Sequence, residues 1–256
     1  MKGRFLLNSS ESPTERSVYA DKSALVLDWL LRKGVSHGDI SLRQVAREAG
    51  VSVGLVQRIF GILVLKGYLQ TTGVRTTKKF CFKKSKLLLE SWLAHYSIAK
   101  KCKMRTYRSS LSGKEELLEA LKKSNLGDKV ALALHSAAEA LGFKNTNLNT
   151  LELYILLPSV RSDLENILQL ESQERGYEVL LIEPYYKELL NQGDKLDKQI
   201  KICPSLLTFL DLYHFPLRGQ EQAEFLAERD PELKRIYKNG QSKSKQVKKT
   251  KLFLNF

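Results

Sequence analysis

Gln57 and Arg58 are neighbouring side chains of the two types that read DNA bases most directly. An amide can form paired hydrogen bonds with adenine, and a guanidinium can form them with guanine, both in the major groove. Val53 can meet a thymine methyl group, and the small residues Gly54 and Gly61 would let a helix backbone approach a duplex closely. Carried on one helix, these residues predict base recognition.

The segment SLRQVAREAGVSVGLVQRIFGILVLKGYL, residues 41–69, would supply that helix. Ser41 and Ser52 are good N-caps for two short helices, and Gly50 can take the left-handed conformation that ends the first of them. The core-facing positions of the second helix would be Val56, Phe60 and Leu63. With a preceding helix at residues 22–32, this arrangement is typical of a helix-turn-helix.

A β-hairpin is predicted directly after these helices. Strand-like residues at 68–71 and 79–82 flank a turn around Gly73, and the basic residues near the tip would hold phosphates or enter the minor groove. The full predicted DNA-binding set is Ser52, Val53, Gly54, Gln57, Arg58, Arg75, Thr76, Thr77, Lys78 and Lys79. Three helices followed by a basic hairpin predict a winged helix. A small helical subdomain that only packs against partners is the alternative.

The C-terminal half of the predicted recognition helix, GILVLKG, is apolar nearly all round. A helix with one exposed face should not carry Ile62, Val64 and Leu65 together with Leu63. We therefore expect part of this surface to be covered. Either the following helix, at about residues 85–101, covers it, or a second copy does so in a homodimer.

The charge of the 256-residue chain is unevenly distributed. Residues 1–110 carry 21 Lys and Arg against 7 Asp and Glu, whereas residues 111–239 carry 16 against 21. Residues 240–256 contain five lysines and no acid. This segregation is typical of a nucleic-acid-binding domain joined to another domain. It predicts a winged-helix domain with its trailing helix at 1–110, a second domain at 111–239, and a flexible basic tail at 240–256.

The second domain alternates between strand-like and helical segments. Strands are predicted at 151–157 and 177–182, and a strand turning into a buried helix at 201–215. Residues 104–129 are expected to form a connector with one short charged helix, introduced by a capping box from Ser112 to Glu115. The alternation predicts an α/β domain with a small sheet flanked by helices, and α+β architecture overall.

Several classes of protein are not expected from the composition. The sequence has no apolar run of the length of a membrane span and no apolar signal core, so a cytoplasmic protein that does not contact membranes is predicted. The three cysteines, Cys81, Cys102 and Cys203, fit neither a disulfide framework nor a metal-knuckle spacing. No metal and no cofactor is expected.

An enzyme in the second domain is the main chemical alternative. Glu152, Glu183 and Asp211 lie on or near strand-like segments, and His214 and Arg218 follow Asp211 closely. A nuclease would gather such carboxylates around a divalent metal. However, the strands lack a tight acid-x-acid pairing, and no Gly-rich phosphate loop is present. We expect no catalytic residues, and interpret Asp211 with Arg218 as a structural ion pair or a helix cap.

Four stretches of the second half resemble the AbiEi-type antitoxin family: ALALHSAAEALGFK, YILLPS, VLLIEPYY and CPSLLTFLDLYHFPLRGQEQAEFLA. The most specific positions are Leu210, Asp211, Leu212, Pro216, Arg218, Gly219, Glu221, Ala223 and Glu224. The resemblance extends over about residues 20–240. It implies a winged helix followed by an antitoxin domain in which Asp211, Arg218 and Glu221 have structural or partner-binding roles. The lysine-rich tail departs from the family pattern.

The resemblance also implies a function and two partners. Members of this family are transcriptional regulators that bind inverted repeats of double-stranded DNA upstream of their own operon. They oppose a nucleotidyltransferase-like toxin in type IV toxin–antitoxin systems. Two alternatives remain open from the sequence: a nucleic-acid-processing enzyme docked by its winged helix, and a plasmid replication or partition factor. A second helix-turn-helix after residue 110 would favour replication, and none is found.

Overall fold

The computed structural model of the protein describes residues 18–74, 78–197 and 199–238. Its N-terminal part contains three helices, α1 (Asp21–Arg32), α2 (Leu42–Glu48) and α3 (Val53–Leu65). The caps are those predicted: the Ser41 hydroxyl accepts a hydrogen bond from the Gln44 amide, and the Ser52 hydroxyl accepts one from the Leu55 amide. Gly50, between the two helices, has a φ of 67°. Local sequence therefore fixes the corner between α2 and α3.

The buried face of α3 is also the predicted one. Val56, Phe60 and Leu63 are fully buried, and Ile59 is buried with them. They meet an apolar helix α1, in which every residue from Ser23 to Leu31 is buried. Burying such side chains contributes about 1.5–3 kcal/mol each relative to leaving them exposed. This packing leaves the opposite side of α3 facing outward.

A two-stranded antiparallel hairpin follows, as predicted, with β1 at Leu69–Thr72 and β2 at Lys79–Phe82. Leu69 pairs with Phe82, and Thr72 pairs with Lys79. A further backbone bridge joins Ile40 to Phe80, whose ring contacts Phe60 edge-on with 4.9 Å between centroids. Phe80 therefore joins the hairpin to Ile40, just before α2, and to Phe60 on α3.

The predicted trailing helix is broken, and the predicted connector is partly wrong. The helix divides into α4 (Ser85–His95) and α5 (Ile98–Lys101), and residues 103–109 form a strand, β3 (Lys103–Ser109). This strand lies inside the large sheet, paired on both edges. Its exposed basic residues gave it the composition of a surface connector. The large sheet thus begins before residue 110, where the domain boundary was predicted.

The large sheet has seven strands in the order β6-β3-β7-β5-β4-β9-β8. Its remaining strands are β4 (Val130–Leu132), β5 (Leu151–Ile155), β6 (Leu170–Ser172), β7 (Val179–Glu183), β8 (Lys195–Leu196) and β9 (Ile200–Ile202). The pairs β5–β7 and β4–β9 are parallel and the other pairs are antiparallel. The protein is α+β with one mixed sheet. The central strands β5 and β7 are almost wholly buried, which explains why their apolar runs were readable from the sequence.

The helices of this part are α6 (Gly113–Lys123), α7 (Leu134–Ala140), α8 (Arg161–Ile167), α9 (Lys187–Leu190), α10 (Ser205–Tyr213), α11 (Gly219–Arg229) and α12 (Pro231–Lys238). Strand β4 turns directly into α7, with a left-handed residue, Leu134, at the corner. Helices α11 and α12 are separated at Pro231, where the Asp230 carboxylate accepts hydrogen bonds from the amides of Glu232 and Leu233.

The predicted capping box before α6 is also shifted by one residue. The Ser112 side chain makes no cap, and the Ser112 amide donates to Glu116 at 2.6 Å rather than to Glu115. The helix therefore begins close to the predicted place with a different set of end contacts. The error is small because both glutamates lie in the first turn.

Buried hydrogen bonds connect the N-terminal helices to the large sheet. The Trp92 indole donates to the Tyr186 hydroxyl at 2.8 Å, which in turn donates to the Tyr19 carbonyl at 2.9 Å. Nearer the surface, the Arg32 guanidinium contacts Glu232 on α12 at 2.8 Å. These contacts fix α4 against the sheet and so fix the position of the hairpin that precedes it.

In the described ranges no single helix is long and apolar enough to cross a membrane. One pair of consecutive helices, Leu42–Ala49 and Val53–Leu65, is long and apolar enough only when both are counted together, and the two helices are bent by 118° relative to each other.

Candidate nucleic-acid interface

The outward face of α3 carries the predicted base-reading residues. Ser52, Val53, Gly54, Gln57 and Arg58 are all exposed, and Val53 is 43% exposed although it is apolar. They project from the side opposite the buried face because the helix repeats every 3.6 residues, which separates the two sets. The structure therefore places these five residues together on one accessible surface.

Two glycines lie on the same face. Among the described residues, a Cβ atom added at Gly54 or Gly61 would meet nothing within 4 Å. Neither position has a positive φ, so neither requires glycine for its backbone conformation. Glycine in a helix costs about 1 kcal/mol relative to alanine, and the packing of the described chain does not offset that cost.

A groove of about 900 Å³ runs between the start of α2, the outward side of α3 and the start of β2. Its lining includes Ser41, Leu42, Arg43, Val53, Gln57, Gly61, Val64, Leu65, Lys78 and Phe80. Three predicted positions on α3, Val53, Gln57 and Gly61, thus share one groove. Arg58 does not line the groove, because consecutive residues of a helix point about 100° apart. Gln57 and Arg58 therefore face different directions.

Two cationic side chains line this groove. Arg43, which was not predicted from the sequence, is exposed in the first turn of α2, close to the Ser41 cap. Lys78 precedes β2, with its ammonium 5.5 Å from the centre of the Phe80 ring. A phosphate group at the groove would meet both charges.

The predicted hairpin contacts are only partly described. Lys78 and Lys79 are exposed at the start of β2. Arg75, Thr76 and Thr77 lie outside the described residues, as does the basic tail at 240–256.

The apolar end of α3 is left open by the described chain. Leu65 is 88% exposed, whereas Ile62 and Val64 are half-buried. The following helix, α4, is one of the two expected alternatives for covering this surface, and it leaves Leu65 facing outward. That alternative is therefore wrong for Leu65. Covering by a second copy stays a prediction.

Asp211 on α10 is fully buried and has a different partner from the one predicted. Its carboxylate accepts hydrogen bonds from the Tyr96 hydroxyl at 2.6 Å and the Tyr154 hydroxyl at 2.7 Å. Burial raises the pKa of Asp211 to about 7, although hydrogen bonds from Tyr96, Tyr154 and Cys203 act to lower it. Asp211 therefore connects α10 with β5 and with the segment between α4 and α5.

The predicted ion pair between Asp211 and Arg218 is wrong. Arg218 instead pairs with Glu221 at the exposed start of α11, with 2.8 Å between Nε and Oε2. Arg218 has a φ of 64°, and a Cβ on the next residue, Gly219, would lie 2.4 Å from the Leu212 carbonyl oxygen. The Arg-Gly pair thus permits a tight turn between α10 and α11. Arg218 and Gly219 therefore form this corner, whereas Asp211 is part of the buried core.

The carboxylates considered for a nuclease are held in separate places. Glu152 is fully buried and accepts hydrogen bonds from the Ser136 amide at 2.9 Å and from the Tyr177 hydroxyl at 3.3 Å. Glu183 ends β7 opposite Lys103, and His214 contacts the Leu93 carbonyl. Within the described ranges, no group of three or more His, Cys, Asp or Glu residues is arranged to hold a metal ion.

Residues 82–230 match a protein-family model described as a transcriptional regulator, AbiEi antitoxin, of type IV toxin–antitoxin systems. The chain belongs to this AbiEi antitoxin family. The matched AbiEi region runs from the last residue of β2 to Asp230 and includes the whole seven-stranded sheet. It includes Asp211, Arg218 and Glu221, which confirms the predicted resemblance over a shorter range. No curated protein and no solved structure matches the chain.

Proposed function

We propose that this AbiEi family member is a DNA-binding transcriptional regulator, in which residues 21–82 act as a winged helix and α3 reads the major groove. The observation that carries the proposal is the outward face of α3. It presents Gln57 and Arg58 beside two glycines on which nothing in the described chain packs. A major groove about 12 Å wide admits such a helix.

The division of contacts follows from the geometry. Val53, Gln57 and Gly61 line the groove from α3 and would face base edges, whereas Arg43 and Lys78 line it from α2 and the hairpin and would hold phosphates. Base contacts give sequence specificity, and phosphate contacts give affinity that depends on salt. Arg58, on the neighbouring stripe of α3, would reach a base or a phosphate farther along the duplex.

The antitoxin role rests on the family. We propose that the protein represses its own operon by binding inverted repeats, and that the AbiEi region opposes a nucleotidyltransferase-like toxin. An inverted repeat presents two equivalent half-sites, so it favours a homodimer. The open apolar end of α3 at Leu65 is a surface that a second copy would cover. Turnover of a nucleic-acid substrate is not part of this proposal.

Fluorescence anisotropy with DNA from upstream of the gene tests the proposal. Gln57→Ala and Arg58→Ala should each cost about 1–3 kcal/mol of binding to that DNA, with little effect on scrambled DNA. Lys78→Ala and Lys79→Ala should weaken binding to both DNAs and reduce the salt slope by about one per lost phosphate contact. Arg229→Ala, an exposed arginine on α11, is the matched control.

Two results would contradict the proposal. Equal losses for Gln57→Ala and Arg229→Ala would remove α3 from the interface. Cleavage or modification of nucleic acid by the purified protein with Mg²⁺, lost in Asp211→Asn, would favour the processing-enzyme alternative instead.

A further inference from the structure

A second concave site lies away from α3, where α4 meets α10, α11 and α12. It encloses about 490 Å³. Its floor consists of buried apolar residues, and its rim of exposed charged ones. The floor residues are Leu93, Phe209 and Ala227, the walls are Tyr213 and Tyr237, and the rim is Lys86, Glu90, Glu224, Glu228 and Lys234. None of these residues belongs to the proposed DNA-binding face.

The three aromatic rings of this pocket are set at angles to one another. The Phe209 and Tyr237 centroids are 6.4 Å apart with 81° between ring planes, and those of Phe209 and Tyr213 are 5.7 Å apart with 55°. Phe209 is fully buried and its contact with Tyr237 is edge-on, so the rings that reach the pocket are those of the half-buried Tyr213 and Tyr237. The face of an aromatic ring carries negative potential and attracts a cation.

The rim strengthens this preference. Three carboxylates and two ammonium groups surround the opening, and one ammonium, on Lys86, is 3.8 Å from the Glu90 carboxylate. Burial raises the pKa of Tyr237 to about 12, and the neighbouring Tyr213, Glu90 and Glu224 act in the same direction. Three carboxylates against two ammonium groups give the side chains of the rim a net charge of −1. This balance favours a cation over an anion.

We propose that this pocket binds an alkylammonium group, with the carbon chain against Leu93 and Ala227 and the ammonium between Tyr213, Tyr237 and Glu224. Two sources have this chemistry: a free amine in solution, and a lysine side chain. The described chain ends at Lys238, next to Tyr237, and five lysines follow at Lys243, Lys245, Lys248, Lys249 and Lys251.

Butylammonium chloride is the probe, and the full-length protein is titrated by NMR with signals from Ala227 and Tyr213. Butylammonium should shift these signals saturably, whereas butyrate and 1-butanol should not. Glu224→Gln and Tyr213→Leu should each lower the affinity for butylammonium about fivefold, as expected for loss of a cation–aromatic or charge contact of about 1 kcal/mol. Glu119→Gln, on α6, removes the same charge elsewhere and should change nothing.

The source is identified by a variant in which all five lysines after residue 238 are replaced by glutamine. Tighter butylammonium binding in this variant identifies the chain's own lysine as the occupant. Unchanged butylammonium affinity shows that these five lysines do not occupy the pocket and identifies a free amine as the occupant. Equal shifts with 1-butanol or butyrate, or the same affinity in Glu224→Gln as in Glu119→Gln, would overturn the proposal. These readouts do not involve DNA, so they are independent of the proposed regulator function.

Discussion

The outward face of α3 and the surroundings of Asp211 differ in how they use polar groups. On α3, Gln57 and Arg58 are exposed and have no role in packing. Asp211 is fully buried, and its two carboxylate oxygens accept hydrogen bonds from two tyrosines distant in sequence. Exposed polar groups cost the fold little, whereas a buried carboxylate must be satisfied internally.

Because of this difference, we expect the exposed α3 side chains to affect binding and Asp211 to affect stability. Removing a side chain from α3 should change binding and leave the fold intact, because such a change is confined to the surface. Removing Asp211 should do the reverse, because it joins α10, β5 and the segment after α4. The predictions below test whether the two regions are as independent as their contacts indicate.

The largest effect is expected for Asp211→Ala. The substitution leaves two buried tyrosine hydroxyls and the Cys203 thiol without their acceptor, and each unsatisfied buried group costs about 1–3 kcal/mol. The free energy of unfolding should fall by about 3 kcal/mol, measured by urea denaturation. Glu221→Ala, exposed on α11, should change it by less than about 0.5 kcal/mol. A loss in Asp211→Ala as small as that of Glu221→Ala would contradict a structural role.

The pH dependence of stability should carry the signature of the same carboxyl. Its pKa is about 7 in the fold, against 3.8 ordinarily, so the folded state holds the proton more tightly. The stability from this group is fully present below pH 3.8 and is lost as the pH rises through 7, by up to about 1.4 kcal/mol per pH unit.

Urea denaturation of the wild type and Asp211→Asn between pH 4 and 8 measures this contribution. The difference in free energy of unfolding between the two proteins should change in favour of Asp211→Asn as the pH rises. Asp28, whose pKa burial raises to about 6, titrates in the same range but is present in both proteins. Parallel curves would show that Asp211 is ionised in the fold throughout.

The elements that sequence predicted well are those determined by local signals. The caps at Ser41 and Ser52, the left-handed Gly50 and the buried spacing on α3 depend on residues within one or two turns. Strand β3 was missed because its partners are β6 and β7, more than 60 residues away. Lys103 and Arg105 are exposed on either side of the half-buried Met104, as in a strand, but the buried Tyr107 breaks this alternation.

In the candidate sites too, features set by nearby residues were predictable and contacts between distant residues were not. The exposure of the α3 residues followed from helical spacing, so the outward position of the proposed DNA-binding residues was predictable. The partners of Asp211 were not, because Tyr96 and Tyr154 are 115 and 57 residues away and tyrosine alone gives no signal of a buried acceptor. Arg218 was paired with Asp211 by nearness in sequence, whereas the tight corner at Gly219 turns it toward Glu221.

The smallest and most discriminating effect is expected at Gly61, where stability and binding should change in opposite directions. An added Cβ meets nothing within 4 Å, and alanine is favoured over glycine in a helix by about 1 kcal/mol. Gly61→Ala should therefore raise the free energy of unfolding by about 1 kcal/mol. The same methyl group would stand between α3 and a duplex in the groove, so affinity for upstream DNA should fall.

Ala94→Gly is the matched reverse substitution, at an exposed position of α4 away from the α3 face. It should lower stability and leave the DNA affinity unchanged, because it alters helix propensity without touching the proposed interface. Urea denaturation and fluorescence anisotropy on the same preparations measure both quantities. If Gly61→Ala raised stability with no loss of affinity, the backbone of α3 would not approach DNA at this position. Recognition would then rest on the side chains of Gln57 and Arg58 alone, and Gly61 would have no explanation in binding or in packing.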